Sequence, residues 1–157
     1  MTQPVSVSTE IAAPPDAVWP LVSDLTRMGE WSPEADGIEW RHGATGAVRG
    51  ATFKGKNHHG SRSWSTIGTI TTADAATRLA FTIKAVGLKV AEWRYDIEPT
   101  ASGCRVTETW TDERGAVARM LGKLATGVDD RASHNRTTMA ATLAGLKAAA
   151  ESATTTG

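Results

Sequence analysis

From Gly115 to Ser152 the chain carries one long helical pattern, and it comes after a run of short strand-like segments rather than among them. That order is the strongest constraint on the fold. Val117, Leu121, Leu124, Val128, Met139, Leu143 and Leu146 recur at spacings of three, four and their multiples, which lays them along one helical stripe. Asp129, Arg136, Lys147 and Glu151 fall off it. Gly122 and Gly127 each weaken a helix interior by about 1 kcal/mol relative to alanine, so Gly127 marks a place for a kink or break. A stripe of this length needs a broad apolar partner, and the only earlier surface large enough is an antiparallel sheet.

The sheet is legible in the alternation. Val5, Val7, Thr9 and Ile11 alternate with Ser6, Ser8, Glu10 and Ala12, which predicts a strand over 4–12 with one buried face. Pro14-Pro15-Asp16 stops it and opens a helix, because proline suits the first helical turn and an acidic residue there complements the dipole. Val18, Leu21, Val22 and Leu25 share a face of that helix; Asp24 caps a second short helix carrying Met28 and Trp31, which Ser32-Pro33 ends. The remainder is a meander with predicted strands at 38–42, 51–57, 62–73, 77–84, 90–98 and 103–112. Turn residues separate them: Gly43 to Gly50, Asn57 to Ser61, Asp74 to Thr77, and Pro99 to Gly103.

With 157 residues and 40% hydrophobic content the chain suits one domain over 1–152, large enough for a core with a cavity, followed by a solvated tail at 153–157. Lys plus Arg equals Asp plus Glu at 17 each, so no global field draws nucleic acid, anionic membrane or a highly charged substrate. A small neutral partner fits better. Cys104 stands alone and forms no intramolecular disulfide. No basic and apolar leader pattern and no apolar run of roughly 20 residues is present, so a cytoplasmic protein without an integral membrane segment is expected.

Strand, two short helices, six strands and a long helix make an order that resembles the START-like, helix-grip superfamily, also called SRPBCC or polyketide cyclase/dehydrase-like proteins. Its local marks are Ile11-Ala12-Ala13-Pro14-Pro15-Asp16-Ala17-Val18-Trp19, the stretch from Asp24-Leu25 to Trp31-Ser32-Pro33-Glu34, and Phe53-Lys54-Gly55-Lys56-Asn57. Arg131, His134-Asn135, Thr142-Leu143 and Leu146-Lys147 are similar to that family's closing helix. The resemblance implies an α+β helix-grip fold, a curved antiparallel sheet of about seven strands wrapped on the C-terminal helix. It also implies a cavity between the two. Superfamily membership spans binding proteins, cyclases and chaperone-linked modules, so it does not choose a reaction.

A strongly bent sheet cannot close perfectly on one cylindrical helix, and strand parity says which residues face the space. Phe53, Trp64, Phe81, Trp93, Tyr95, Val106, Trp110, Val128 and Met139 are the expected wall, with Leu143 beside them. The same residues also suit an ordinary core. Polar groups on those faces are more informative, because burying one without a partner costs about 1–3 kcal/mol. Glu108, between Val106 and Trp110, has a carboxyl that burial would keep protonated, able to exchange a proton or hydrogen-bond a ligand carbonyl. Reversed parity or an arginine partner would remove that role. Asn57 either reaches the cavity mouth or caps the His58-His59 hairpin; Asn135 faces the sheet and needs a partner there. Tyr95, the only tyrosine, can orient a ligand hydroxyl or ketone, whereas Arg131 snorkels outward or binds an acid.

His42, His58, His59 and His134 lack metal-ligand spacing, no nucleophile elbow or phosphate loop is present, and no metal or cofactor is expected. Three functional classes remain. The first is binding of a small hydrophobic molecule, lipid, polyketide-like or aromatic. The second is a polyketide aromatase/cyclase or dehydratase using Glu108 or Tyr95 in the same cavity. The third is a protein-interaction module using the helix or a sheet edge. For access to the cavity, the hairpin 57–62, the turn 85–89 and the junction at Gly115 are the expected gates.

Overall fold

A computed structural model describes residues 3–155. Seven strands form one antiparallel sheet: β1 Val5–Ile11, β2 Ala35–Trp40, β3 Thr52–His59, β4 Arg62–Asp74, β5 Arg78–Ala85, β6 Leu88–Thr100 and β7 Gly103–Asp112. Their spatial order is β1-β7-β6-β5-β4-β3-β2, so consecutive strands pair except that β1 joins the far end of the meander. β1 and β2 are therefore opposite edges. The segment between them crosses from one edge to the other through helix α1, Pro15–Ser23, and a 3-10 helix, Leu25–Glu30. Proline at the start of α1 has no N–H to leave without an acceptor there, and Asp24 accepts from the Thr26 backbone N–H at 3.2 Å to open the 3-10 turn.

The strands hold the predicted parity. Phe53 and Gly55 on β3, Phe81 and Ile83 on β5, Tyr95 and Ile97 on β6, and Val106, Glu108 and Trp110 on β7 are all buried. β2 differs from the predicted 38–42: it starts earlier, at Ala35, because a bulge at Ala35–Gly37 lets it pair with Asn57 and Lys56. Phe53 packs directly over Gly68 of β4, where a Cβ would stand 2.0 Å from the ring. Only glycine admits the ring at that position.

The helical end departs from the single-helix expectation. Two helices form, α2 Ala116–Thr126 and α3 Arg131–Thr155. Gly127 adopts the left-handed conformation (φ 72°), and its N–H returns to the Lys123 carbonyl, a helix stop that glycine makes cheaply. After this break the stripe no longer continues in phase. Met139, Leu143 and Leu146 lie buried on the sheet, whereas Val117, Leu121 and Leu124 are 62%, 46% and 67% exposed. α2 instead sits against the β4 side, fastened by Arg62 to the Leu124 carbonyl and by His59 Nδ1 to the Thr126 carbonyl at 3.1 Å.

α3 lies along β1 and β7 and beside α1. Asn135, Met139, Thr142, Leu143, Leu146 and Ala150 form its buried face. Its C-terminal half is tied to the end of β1, where Lys147 Nζ donates to the Glu10 carbonyl at 2.8 Å and Glu151 accepts from Ala12 N–H at 3.0 Å. The region expected as a tail from 153 is helical to Thr155, and 156–157 lie outside the described residues. No helix among the described residues is long and apolar enough to cross a membrane.

Candidate ligand cavity

Between the concave sheet face and α3 lies a cavity of about 310 Å³, at the small end of the range for small-molecule sites. Its walls are aromatic. Phe53 and Phe81 meet edge to face at 5.6 Å, and Trp93 and Trp110 lie 6.4 Å apart. Trp64 and Met139 complete the apolar lining expected from the sequence, and Asn57, Tyr95, Glu108 and Asn135 add polar atoms. Val86 of the β5–β6 turn, Leu88 at the start of β6, and Ala118 and Leu121 of α2 also line the cavity, and of these Val86, Leu88 and Leu121 are exposed to solvent. Val86 is 93% exposed and has φ 51°, a costly conformation for a β-branched residue.

Val106 and Val128 do not line this space. Val106 is completely buried between Thr9 and Ile97, nearer the end where α3 and α1 close on the sheet, so its inward side chain meets packed atoms. Val128 is buried in the α2–α3 link beyond the Gly127 break. Leu143 is likewise core rather than wall. Asn57 lies within β3, paired with Trp64, and lines the cavity rather than capping the turn at Gly60.

Glu108 faces inward on β7 and is 3% exposed. The Tyr95 hydroxyl, from the neighbouring β6 position, donates to Glu108 Oε1 at 2.8 Å. Its partner is thus a tyrosine and not an arginine. Burial pushes the Glu108 carboxyl from 4.5 to about 8, and the Tyr95 hydrogen bond only partly opposes that rise. The phenol is pushed well above its ordinary value too, first by burial and then by Glu108. Near neutral pH the pair is an uncharged acid and an uncharged phenol. Glu108 Oε2 is buried and has no protein hydrogen-bond partner among the described residues.

At the other side stands a polar cluster centred on Glu34, a residue not anticipated as part of the site. Arg131 turns inward, its Nη1 donating to both Glu34 oxygens at 2.8 and 3.0 Å, and to Asn135 Oδ1 at 3.4 Å. Its guanidinium also lies 5.8 Å from the Trp64 ring centre, within cation–π range. His134 Nε2 is 2.6 Å from Glu34 Oε2, and the His59 ring meets His134 edge to face. The one local signal was the spacing of Arg131, His134 and Asn135 on a single helical face. Also on the lining, Arg114 grips Asp112 through two side-chain bonds at 2.8 and 2.9 Å. Burial alone would raise the Asp112 carboxyl, but the Arg114 bonds hold it below its ordinary value.

An antiparallel sheet gripping a C-terminal helix around an apolar hollow defines a helix-grip protein. The chain belongs to the family described as "Polyketide cyclase / dehydrase and lipid transport", whose profile matches residues 2–151. Solved structures agree on the fold. The Polyketide_cyc-like protein Cgl2372 from Corynebacterium glutamicum is 28% identical with TM-score 0.57, over 94% of this chain and 88% of that one. Protein CV1439 from Chromobacterium violaceum superposes with TM-score 0.72 at 13% identity, over 96% and 99% of the two chains. The di-domain ARO/CYC StfQ from the steffimycin biosynthetic pathway gives 0.74 at 14% identity, covering 96% of this chain and 51% of that one. No curated protein sequence matches the chain.

Proposed function

We propose that this protein binds a small hydrophobic molecule, lipid, polyketide-like or aromatic, in the cavity between the sheet and α3. The observation that supports it is a hollow of about 310 Å³ walled by Phe53, Trp64, Phe81, Trp93, Trp110 and Met139 where the same sheet could have packed solid. Apolar burial at roughly 25 cal/mol per Å² supplies the affinity, and the aromatic walls restrict shape. The ion pairs Arg131–Glu34 and Arg114–Asp112 leave both cations engaged, so the lining favours an uncharged guest.

Native mass spectrometry of the purified protein, followed by organic extraction, tests this reading. A co-purifying apolar molecule that raises the melting temperature when added back supports it. Protein that carries nothing and gains no stability from bicyclic or long-chain apolar compounds contradicts it.

A second reading, a cyclase or dehydratase, rests on the Tyr95–Glu108 pair, a neutral acid of pKa about 8 beside a phenol in the cavity wall. Such an acid can protonate a carbonyl oxygen of a poly-ketone whose ends the cavity holds together. In that case Glu108→Gln lowers turnover of a poly-ketone substrate far more than its affinity. Equal effects on both remove the enzymatic reading.

A further inference from the structure

The cavity's hydrogen-bonding inventory narrows the guest further. Among the ionisable groups of the lining, Glu34 is taken by Arg131 and His134, Arg114 by Asp112, and the Tyr95 hydroxyl by Glu108 Oε1, while the Asn57 and Asn135 amides add neutral polar atoms. Thr138 and Thr142 donate to carbonyls of their own helix, the ordinary arrangement for threonine in a helix interior. Among the described residues, the buried side-chain oxygens without a partner are Thr100 Oγ1 and Glu108 Oε2, and only Glu108 lines the cavity. An orphaned buried polar atom is costly unless something completes it.

Resting on the binding reading above, we propose that the guest carries an uncharged hydrogen-bond acceptor, a ketone or similar carbonyl oxygen, that receives a hydrogen bond from Glu108 Oε2. The cavity thereby selects carbonyl-bearing apolar molecules over plain hydrocarbons and over carboxylates.

The direction of the bond follows from Tyr95. Its hydroxyl donates to Oε1, so the carboxyl proton of neutral Glu108 resides on Oε2, the buried atom left without a partner. A carbonyl oxygen accepts from it; a hydrocarbon leaves it orphaned. A carboxylate brings an unpaired negative charge into a site whose arginines are already bound to carboxylates, which disfavours it. Glu108 is neighboured by Tyr95 on β6 and by apolar Val7 on β1, while the charged groups elsewhere on the lining are Glu34, Arg131 and Arg114. None of those three contributes to its protonation, which burial and Tyr95 set. Once the pH passes about 8, Glu108 loses the proton and with it the ability to donate.

Calorimetric titration with 1-tetralone and its hydrocarbon counterpart tetralin, at pH 6.5 and 9.5, tests the inference on the wild type, Glu108→Gln and Glu108→Leu. At pH 6.5 the wild type should favour tetralone over tetralin by roughly three- to tenfold more than Glu108→Leu does, the scale of one neutral hydrogen bond. That extra preference disappears at pH 9.5. Glu108→Gln keeps an N–H donor at both pH values, so its preference survives and becomes independent of pH. 1-Naphthoate binds the wild type at least tenfold more weakly than tetralone. A wild-type preference unchanged between the two pH values, or retained in Glu108→Leu, overturns the inference while leaving the cavity reading intact. Should Glu108→Leu fail to fold, the contrast between wild type and Glu108→Gln decides alone. If neither compound binds any folded variant, the cavity reading itself fails and takes the inference with it.

Discussion

Replacing Glu108 by glutamine should make the protein more stable at mildly alkaline pH, by an amount that the buried carboxyl determines. In the unfolded chain this carboxyl ionises near its ordinary 4.5; in the native state burial holds it protonated to about 8. Between those values the native state binds a proton that the unfolded state has released. Stability therefore falls as pH rises, by about 1.4 kcal/mol per pH unit, and levels off above the native value. Across pH 5.5 to 8.5 the loss comes to about 3 kcal/mol. The carboxylates held below their ordinary values, Glu30, Glu39, Asp112, Asp130 and Glu151, act in the opposite sense and at lower pH, where their stabilisation is lost as pH falls. Every group other than residue 108 is common to the two proteins, so its contribution cancels in their difference. Glutamine keeps an oxygen for the Tyr95 hydroxyl and does not titrate. Urea unfolding followed by tryptophan fluorescence at pH 5.5, 6.5, 7.5 and 8.5 measures the difference between the two proteins. The gap should widen by about 3 kcal/mol in favour of Glu108→Gln from the lowest to the highest pH. Parallel curves would show that Glu108 is ionised in the native state and refute the reasoning.

Other perturbations probe the packing around the cavity. Gly68→Ala drives a methyl into the Phe53 ring, 2.0 Å from its nearest carbon, and should cost about 2 kcal/mol or more in urea unfolding. Val117→Ser, on the solvent side of α2, should change stability by less than about 0.5 kcal/mol, whereas Leu143→Ala, 1% exposed under α3, should cost about 3 kcal/mol. Similar losses for the two would mean that the whole stripe packs on the sheet. Ala91→Phe places a ring into the hollow from β6; it should weaken tetralin binding at least tenfold with the melting temperature little changed.

Alternation in the strands carried most of what was legible. A period of two assigns Phe53, Tyr95, Glu108 and Trp110 to one face without knowledge of their neighbours, and that face is the concave one. Periodicity along the helical end was less informative, because the break at Gly127 resets the phase and strands Val117 and Leu124 in solvent. A stripe reports amphipathicity; it does not report what covers it. Whether an inward residue meets a helix or a void depends on the local distance between layers, which is why Val106 is core while Glu108, two residues on, lines the cavity. The Glu34 cluster joins partners separated by 97 and 100 positions, so only the Arg131, His134, Asn135 half of it had a local pattern.

Nuclear Overhauser measurements on methyl-labelled protein in the presence of tetralin address the hollow interior directly. Binding inside it gives cross-peaks from tetralin protons to the methyl groups of Met139 and Ile83, which line the cavity, and none to Val106, which is buried outside it. Cross-peaks confined to exposed Val117 and Leu124 of α2, or none at all at saturating tetralin, would contradict a cavity that admits an apolar guest.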